Sequence, residues 1–289
     1  MNNPDLRYHV ASLSAIFLSL GIGIVIGTAF VGSPLVVKQT GMLHRLETHV
    51  SELREESRER ERTEEALAQV AAQTVRDVLK NKRVLVVQTG DYPDAALAAR
   101  EALELSGATV VSVTLPPDAW RGKLGKPDVT PEAIEEQARQ LSLVLATGAP
   151  VPEAFREDGL IVGEAGGVVR FVVLVGGEKN GGNTALLAHR DTPLIVEWKN
   201  AGLTVVGVEP RTVNVSYLPT YRSQEIATVD AINYAAGRIA LPFALLQNKP
   251  GAFGYRADAD RVLPESAGVA PSPSPSPTVA PLPPATTLP

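Results

Sequence analysis

The chain has no cysteine, only four histidines and only two methionines in 289 residues. Without thiols there is no disulfide framework, no thiolate metal site and no cysteine nucleophile. Soft metal ions prefer sulfur ligands and borderline ions prefer imidazole clusters. Here His44 and His49 are five residues apart, a poor spacing for one helical face, and His9 borders an apolar stretch. One of the two methionines is Met1. No metal site and no cofactor are therefore expected. A basic excess is missing too: 27 Lys and Arg face 32 Asp and Glu, a formal net charge of −5. That speaks against nucleic acid as a partner, which calls for a basic face. Catalytic signatures are equally scarce. Ser216, His189 and Asp230 can be drawn as a triad, but no local motif supports one. The chain reads as a non-enzyme.

What is present is strongly segregated. Between Arg7 and Lys38 no residue carries a formal charge if His9 is neutral. About 30 residues make roughly 45 Å of helix, and a bilayer core needs about 20 apolar residues. Residues 10–37 are expected to form a transmembrane helix behind an N-terminal tail of residues 1–9. Its apolar centre holds Ile16, Phe17, Leu18, Leu20, Ile22, Ile24, Val25 and Ile26, and Tyr8 sits where an interfacial anchor would. A signal sequence cut near Gly27-Thr28-Ala29 is one fate for such a segment. Its length, and the stalk that follows directly, favour a retained anchor. Lys38, Arg45 and Arg54 after the segment outnumber Arg7 before it, which by the positive-inside rule keeps the C-terminal part inside. The very short N-terminal tail, the Glu interleaved with those basic residues and the character of the C-terminus argue for the reverse. The single-pass reading adopted therefore places the C-terminal domain outside the cytoplasm, in the cell envelope. Ser19, Gly23 and Gly27 recur every four residues, a small-residue face on which a second membrane helix could pack. Glycine is also simply common in membrane helices.

Residues 41–81 read as a charged helical stalk. Leu43, Leu46, Val50 and Leu53 have the a/d spacing of a coiled-coil seam, Ser57, Arg60 and Glu64 break it, and Leu67 resumes an apolar face with Ala71, Val75 and Val78. A short, imperfect coiled coil with parallel self-pairing is expected, so that helix and stalk make a homo-oligomer. A helix that folds back, or that meets another protein's helix, is the alternative. The charge run between the two apolar stretches is ordinarily a solvated face.

Residues 83–263 read as an α/β domain. Apolar runs at 83–88, 109–115, 168–175 and 203–208 are strands, each ending in turn residues. Helical stretches at 94–105, 131–145, 185–201 and 229–246 alternate with them. Thr130 and Pro131 mark one helix start, while Pro193 and Pro242 lie inside others. Residues 120–130 read as an exposed loop. The alternation predicts a three-layer fold with a mostly parallel, Rossmann-like sheet. Residues 264–289 are rich in Pro, Ser, Ala and Thr and are expected to be disordered.

Ligands of open α/β sheets gather at the carboxyl ends of the strands. Two glycine turns lie there, Gly90-Asp91 after the first strand and Gly176-Gly177 after the third, and both are weak candidates for ligand binding through backbone N–H groups. Neither matches G-x-G-x-x-G or a P-loop; a plain crossover turn is the bland reading.

The opening stretch Asp5-Leu-Arg-Tyr-His-Val-Ala-Ser-Leu-Ser-Ala-Ile-Phe-Leu-Ser-Leu-Gly-Ile-Gly-Ile-Val-Ile-Gly27 resembles the start of the MctB family. So do Thr228-Val-Asp230, Gly237-Arg238, Gly251-Ala-Phe-Gly-Tyr-Arg-Ala-Asp-Ala-Asp260 and Leu263-Pro264. The likeness runs over residues 5–264. It implies a mycobacterial-type copper transport protein linked to copper homeostasis, with copper itself entering only through the resemblance. Actinobacterial members of the SteB type imply instead an envelope scaffold that, with a protein partner, controls cell-wall hydrolysis. The residues lean toward the scaffold: strands this short and continuously apolar suit a buried parallel sheet, not a membrane pore. A small-ligand sensor using the two glycine turns is the third reading.

Overall fold

A computed structural model describes residues 4–31, 34–180 and 184–265; the side chains of residues 4–7, 29–31, 34–47 and 184 are not described. The chain falls into two units, Met1–Thr63 and Glu64–Pro289. In the first, helix α1 (Pro4–Val31) contains a 21-residue stretch, Tyr8–Thr28, long and apolar enough to span a membrane. None of it is buried in the protein. Two of its hydroxyls bond the helix's own carbonyls: Ser19 Oγ donates to Ile16 O at 2.9 Å and Thr28 Oγ1 to Ile24 O at 3.0 Å.

Helix α2 (Pro34–Thr74) covers most of the stretch expected to form a stalk. Val50 and Leu53 are exposed on it, among i,i+4 and i,i+3 pairs such as Arg60–Glu56 at 2.6 Å and His49–Glu52 at 3.7 Å. The side chains of Leu43 and Leu46 lie outside the described residues. The end of α2 belongs to the second unit. Leu67 is still exposed there, but Ala71 and, just beyond the helix, Val75 and Leu79 are buried. The apolar face that resumes at the stalk's end thus turns into domain core.

The domain runs β1 (Arg83–Gln88), α3 (Pro93–Leu105), β2 (Thr109–Thr114), α4 (Pro117–Leu124), α5 (Pro131–Thr147), α6 (Glu153–Glu157), β3 (Val162–Gly163), β4 (Phe171–Val175), α7 (Thr184–Leu186), a π-helical turn (Leu187–Asp191), α8 (Thr192–Asn200), β5 (Thr204–Val208), α9 (Leu218–Ser223), β6 (Ala227–Val229), α10 (Ala235–Gln247) and β7 (Gly251–Phe253). One sheet orders these strands β3-β2-β1-β4-β5-β6-β7, with only the β2–β3 pair antiparallel. The chain winds outward in both directions from β1 and β4, which makes the gap between their carboxyl ends the topological switch point. On β1, Leu85 and Val87 face a core with Ile134 and Leu141 of α5 and Leu194 and Trp198 of α8. Val84 and Val86 face a second core with Ala99 and Leu103 of α3 and Leu241 and Leu245 of α10. Burial on both faces is why these strands read as unbroken apolar runs.

Several elements differ from the sequence reading. The stretch expected to be an exposed loop from residue 120 begins inside α4, and Trp120 is fully buried with its indole N–H donating to Leu160 O at 2.8 Å. A helix of eight residues anchored by one aromatic leaves no periodic pattern. The last helix starts at Ala235, not at residue 229, because Ala227–Val229 is a strand too short to stand out. The strand before the Gly176 turn begins at Phe171. The helix crossing Pro193 does so through the π-helical turn: proline lacks an N–H and crowds the preceding turn, and the wider turn absorbs both. Thr130 caps α5 as expected, accepting from Ala133 N–H at 3.3 Å. Most of the Pro-rich tail, from residue 266, lies outside the described residues.

Candidate functional site

Sheet order brings the two glycine turns together. The amides of Thr89 and Gly90 donate to Val175 O at 2.9 and 3.0 Å, and that of Asp91 donates to Gly177 O at 2.9 Å. These N–H groups are therefore spent on carbonyls rather than turned toward a ligand. The approach needs glycine: a Cβ on Gly90 would stand 2.3 Å from Gly177 O, and one on Gly176 would stand 2.9 Å from the Tyr221 hydroxyl. Gly177 also has φ +94°, open to glycine at little cost. Asp91 accepts from Lys179 N–H at 3.2 Å and lies 3.9 Å from Arg121 Nη2.

Beneath this seal sits a buried polar network. Arg190 Nε donates to Asp191 Oδ1 at 2.6 Å, Nη2 to Thr89 O at 2.8 Å and Nη1 to Leu115 O at 3.3 Å. The other Asp191 oxygen accepts from Tyr221 OH at 2.6 Å, and that hydroxyl is 3.0 Å from Thr89 Oγ1. Burial, and then the Asp191 charge, drive the Tyr221 pKa well above the phenol's ordinary value, so Tyr221 stays a neutral donor. Arg190 thus plugs the carboxyl ends of β1 and β2 from inside. Sequence reasoning missed this network. Its available signal was a charged pair flanked by Leu186-Leu187 and Leu194-Ile195, next to a proline that disturbs the helix.

Around the seal runs a rim of loops. Glu178, buried, accepts from Arg121 Nη1 at 3.0 Å and bridges by its backbone to Val215 at 3.0 and 3.1 Å. Its second carboxylate oxygen and the Tyr217 hydroxyl are buried without a protein partner, the usual setting of ordered water. Glu209, fully buried at the end of β5, accepts from Ser216 Oγ at 2.7 Å and from the Tyr217 amide, and lies 3.8 Å from Arg256 Nη1. Burial raises its pKa to about 7 against the lowering effect of these donors. Asp230 accepts from the amides of Tyr255 and Arg256, both at 2.8 Å, and so shapes the turn after β7; the sequence had placed it at the start of a helix. Tyrosine is concentrated here: Tyr92, Tyr217, Tyr221, Tyr234 and Tyr255, five of the six in the chain, follow the carboxyl ends of β1, β5, β6 and β7.

The drawn triad is dispersed. Ser216 serves Glu209, His189 Nδ1 lies 2.8 Å from Glu135 Oε1, and Asp230 holds backbone amides. Among the described residues no group of three or more His, Asp or Glu is placed to hold a metal ion. On α1, Gly23 and Gly27 have open space where a Cβ would stand, leaving the Ser19–Gly23–Gly27 face smooth.

The sequence matches the family model "Copper transport outer membrane protein, MctB" over residues 5–126 and 130–264. It is 26% identical over 291 residues to the proteins named copper transporter MctB of Mycobacterium bovis and Mycobacterium tuberculosis, which covers 83% of this chain and 91% of each relative. With an apolar helix at its start and both lobes of the matched region running through the α/β domain, the chain belongs to the MctB copper transport family.

Proposed function

We propose that the protein serves copper transport or homeostasis as a single-pass, membrane-anchored envelope component that acts by binding other components, and not as the conduit itself. The observation that carries this reading is architectural: one helix able to span, joined to an open, mostly parallel sheet packed on both faces. A lipid-facing barrel needs strands of about 9–11 residues closed into a ring, whereas the strands here are two to six residues long. Copper is then cargo of the system. The domain stands outside the cytoplasm in this reading, and α1 remains as the anchor. The test is a deletion strain complemented with the full chain or with a chain lacking residues 1–31. Raised cell copper and lowered tolerance, restored only by the full chain, support it. Unchanged copper content and tolerance on deletion count against it.

A second reading, a non-enzymatic scaffold that controls cell-wall hydrolysis, draws on α2, whose 41 residues present exposed Val50 and Leu53 on a charged helix. Such a face suits a helical partner or a second copy. Capture of a cell-wall hydrolase by the wild-type stalk, lost with Leu53→Glu, supports it; equal capture by both chains counts against it. A small-ligand sensor draws less support, because the amides of Gly90, Asp91 and Gly176 in the two glycine turns already bond carbonyls.

A further inference from the structure

Arg211 lies on the loop after β5 with its guanidinium carbon 5.4 Å from the centroid of the Tyr234 ring and 5.3 Å from that of Tyr255. The two rings meet edge to face, with centroids 6.4 Å apart. Each ring's negative face attracts the cation, so the guanidinium is steadied from two sides. Its backbone is tied as well: Arg211 N–H donates to Asn233 Oδ1 at 2.9 Å. Tyr255 owes its place to the Asp230-capped turn, where Gly254 has φ +132° and a Cβ would stand 2.1 Å from Asp230 Oδ1. Among the described residues, no carboxylate lies within 4.0 Å of the Arg211 guanidinium and no acceptor bonds it, although the residue is exposed. Lys179, on the same rim, likewise rests 5.4 Å over the Tyr92 ring. Its loop is tied to the Arg211 loop by the Asn214 side-chain amide donating to Lys179 O.

A fixed, unneutralised guanidinium presents a planar fork that fits a carboxylate through two parallel hydrogen bonds. Tyr and Arg together are also the residues that most often dominate protein–protein contacts. Other arginines of this face are already engaged: Arg121 by Asp118 and Glu178, Arg256 by Glu209 and Asp258. We propose that Arg211, held between Tyr234 and Tyr255 on the same rim as Lys179, is a recognition site for the carboxylate of an acidic protein segment. The proposal deepens the reading that the domain acts by binding, and it names the chemistry of the partner.

The experiment is equilibrium binding of a labelled hexaglutamate peptide to the full chain in nanodiscs of neutral lipid, with inorganic phosphate as a competitor. The chain's net charge of −5 works against nonspecific capture of an anionic peptide. Wild type is expected to bind with an affinity that falls as salt rises. Arg211→Lys keeps the charge but loses the fork, and is expected to bind about tenfold more weakly. Tyr255→Leu is expected to weaken binding in the same direction. Arg100→Gln, which removes an arginine paired with Glu104 on α3, is expected to bind as wild type. Equal binding by Arg211→Lys and wild type overturns the proposal. So does equal weakening by Arg100→Gln, and so does full displacement by millimolar phosphate with no preference for the peptide. A negative result here, alongside a deletion strain with altered copper, removes this site alone and leaves the proposed function standing.

Discussion

Arg190 and Asp191 are neighbours in the chain and partners in space: Nε lies 2.6 Å from Oδ1, and both side chains are fully buried. Adjacent residues of an α-helix point about 100° apart, and the π-helical turn that holds this pair brings both inward. The ion pair is closed by Tyr221, Thr89 O and Leu115 O, which satisfy the remaining oxygen and the outer nitrogens.

Breaking that pair from one side leaves a buried charge. Asp191→Leu or Arg190→Met is expected to destabilise the domain by about 3–5 kcal/mol. The double variant Arg190→Met with Asp191→Leu is expected to cost less than the sum of the single changes. Denaturant midpoints of the purified chain and its variants measure this, and additive losses would mean the two residues act independently.

Glu209 ties stability to pH. Its folded-state pKa, about 7, is above the ordinary 4.5 because burial disfavours the charged form. The contribution is therefore fully present below about pH 4.5 and is lost as pH rises through about 7. The full change is worth about 3 kcal/mol. Thermal midpoints from pH 5 to 8 are expected to show this decline, and Glu209→Gln is expected to flatten it. An identical slope in that variant would assign the effect elsewhere.

Gly90→Ala drives a methyl group into the backbone of Gly176 and Gly177, with the nearest atom 2.3 Å away. Backbone cannot give way as a side-chain tip can, so a loss of about 3 kcal/mol is expected. Gly122→Ala, on α4 with open space where its Cβ would stand, is the control and is expected to be neutral or slightly stabilising. Equal expression and melting of the two variants would show that the β1–β4 seal is soft.

The absence of cysteine makes the stalk readable by single-cysteine crosslinking. With parallel pairing of two stalks, Leu53→Cys, on the expected seam, forms an intermolecular disulfide in membranes, while Glu55→Cys, two residues off it, does so far less. Equal yields at both positions would argue against a seam at Leu53.

Much of the architecture was legible because its causes are local. The apolar run of α1, the Thr130 cap of α5 and the turns that end β1 and β5 each act within a few residues of chain. Trp120 was misread for the same reason: its burial depends on Leu160 O, 40 residues away. The grouping of Gly90, Asp91, Gly176 and Gly177 was legible in part, since strand ends are where ligands gather, but not their closure against one another.

By itself the sequence determined the segregation of the chain into an apolar segment, a charged helix and an α/β domain, because hydrophobic periodicity and charge act over short windows. Only the tertiary structure decided that tyrosines from the ends of β1, β5, β6 and β7 share one rim, that Glu209 loses its water and that Arg211 finds two rings. Those neighbours are distant in sequence and meet through the order in which right-handed crossovers lay parallel strands side by side. That order is a property of the packed sheet and of no single segment.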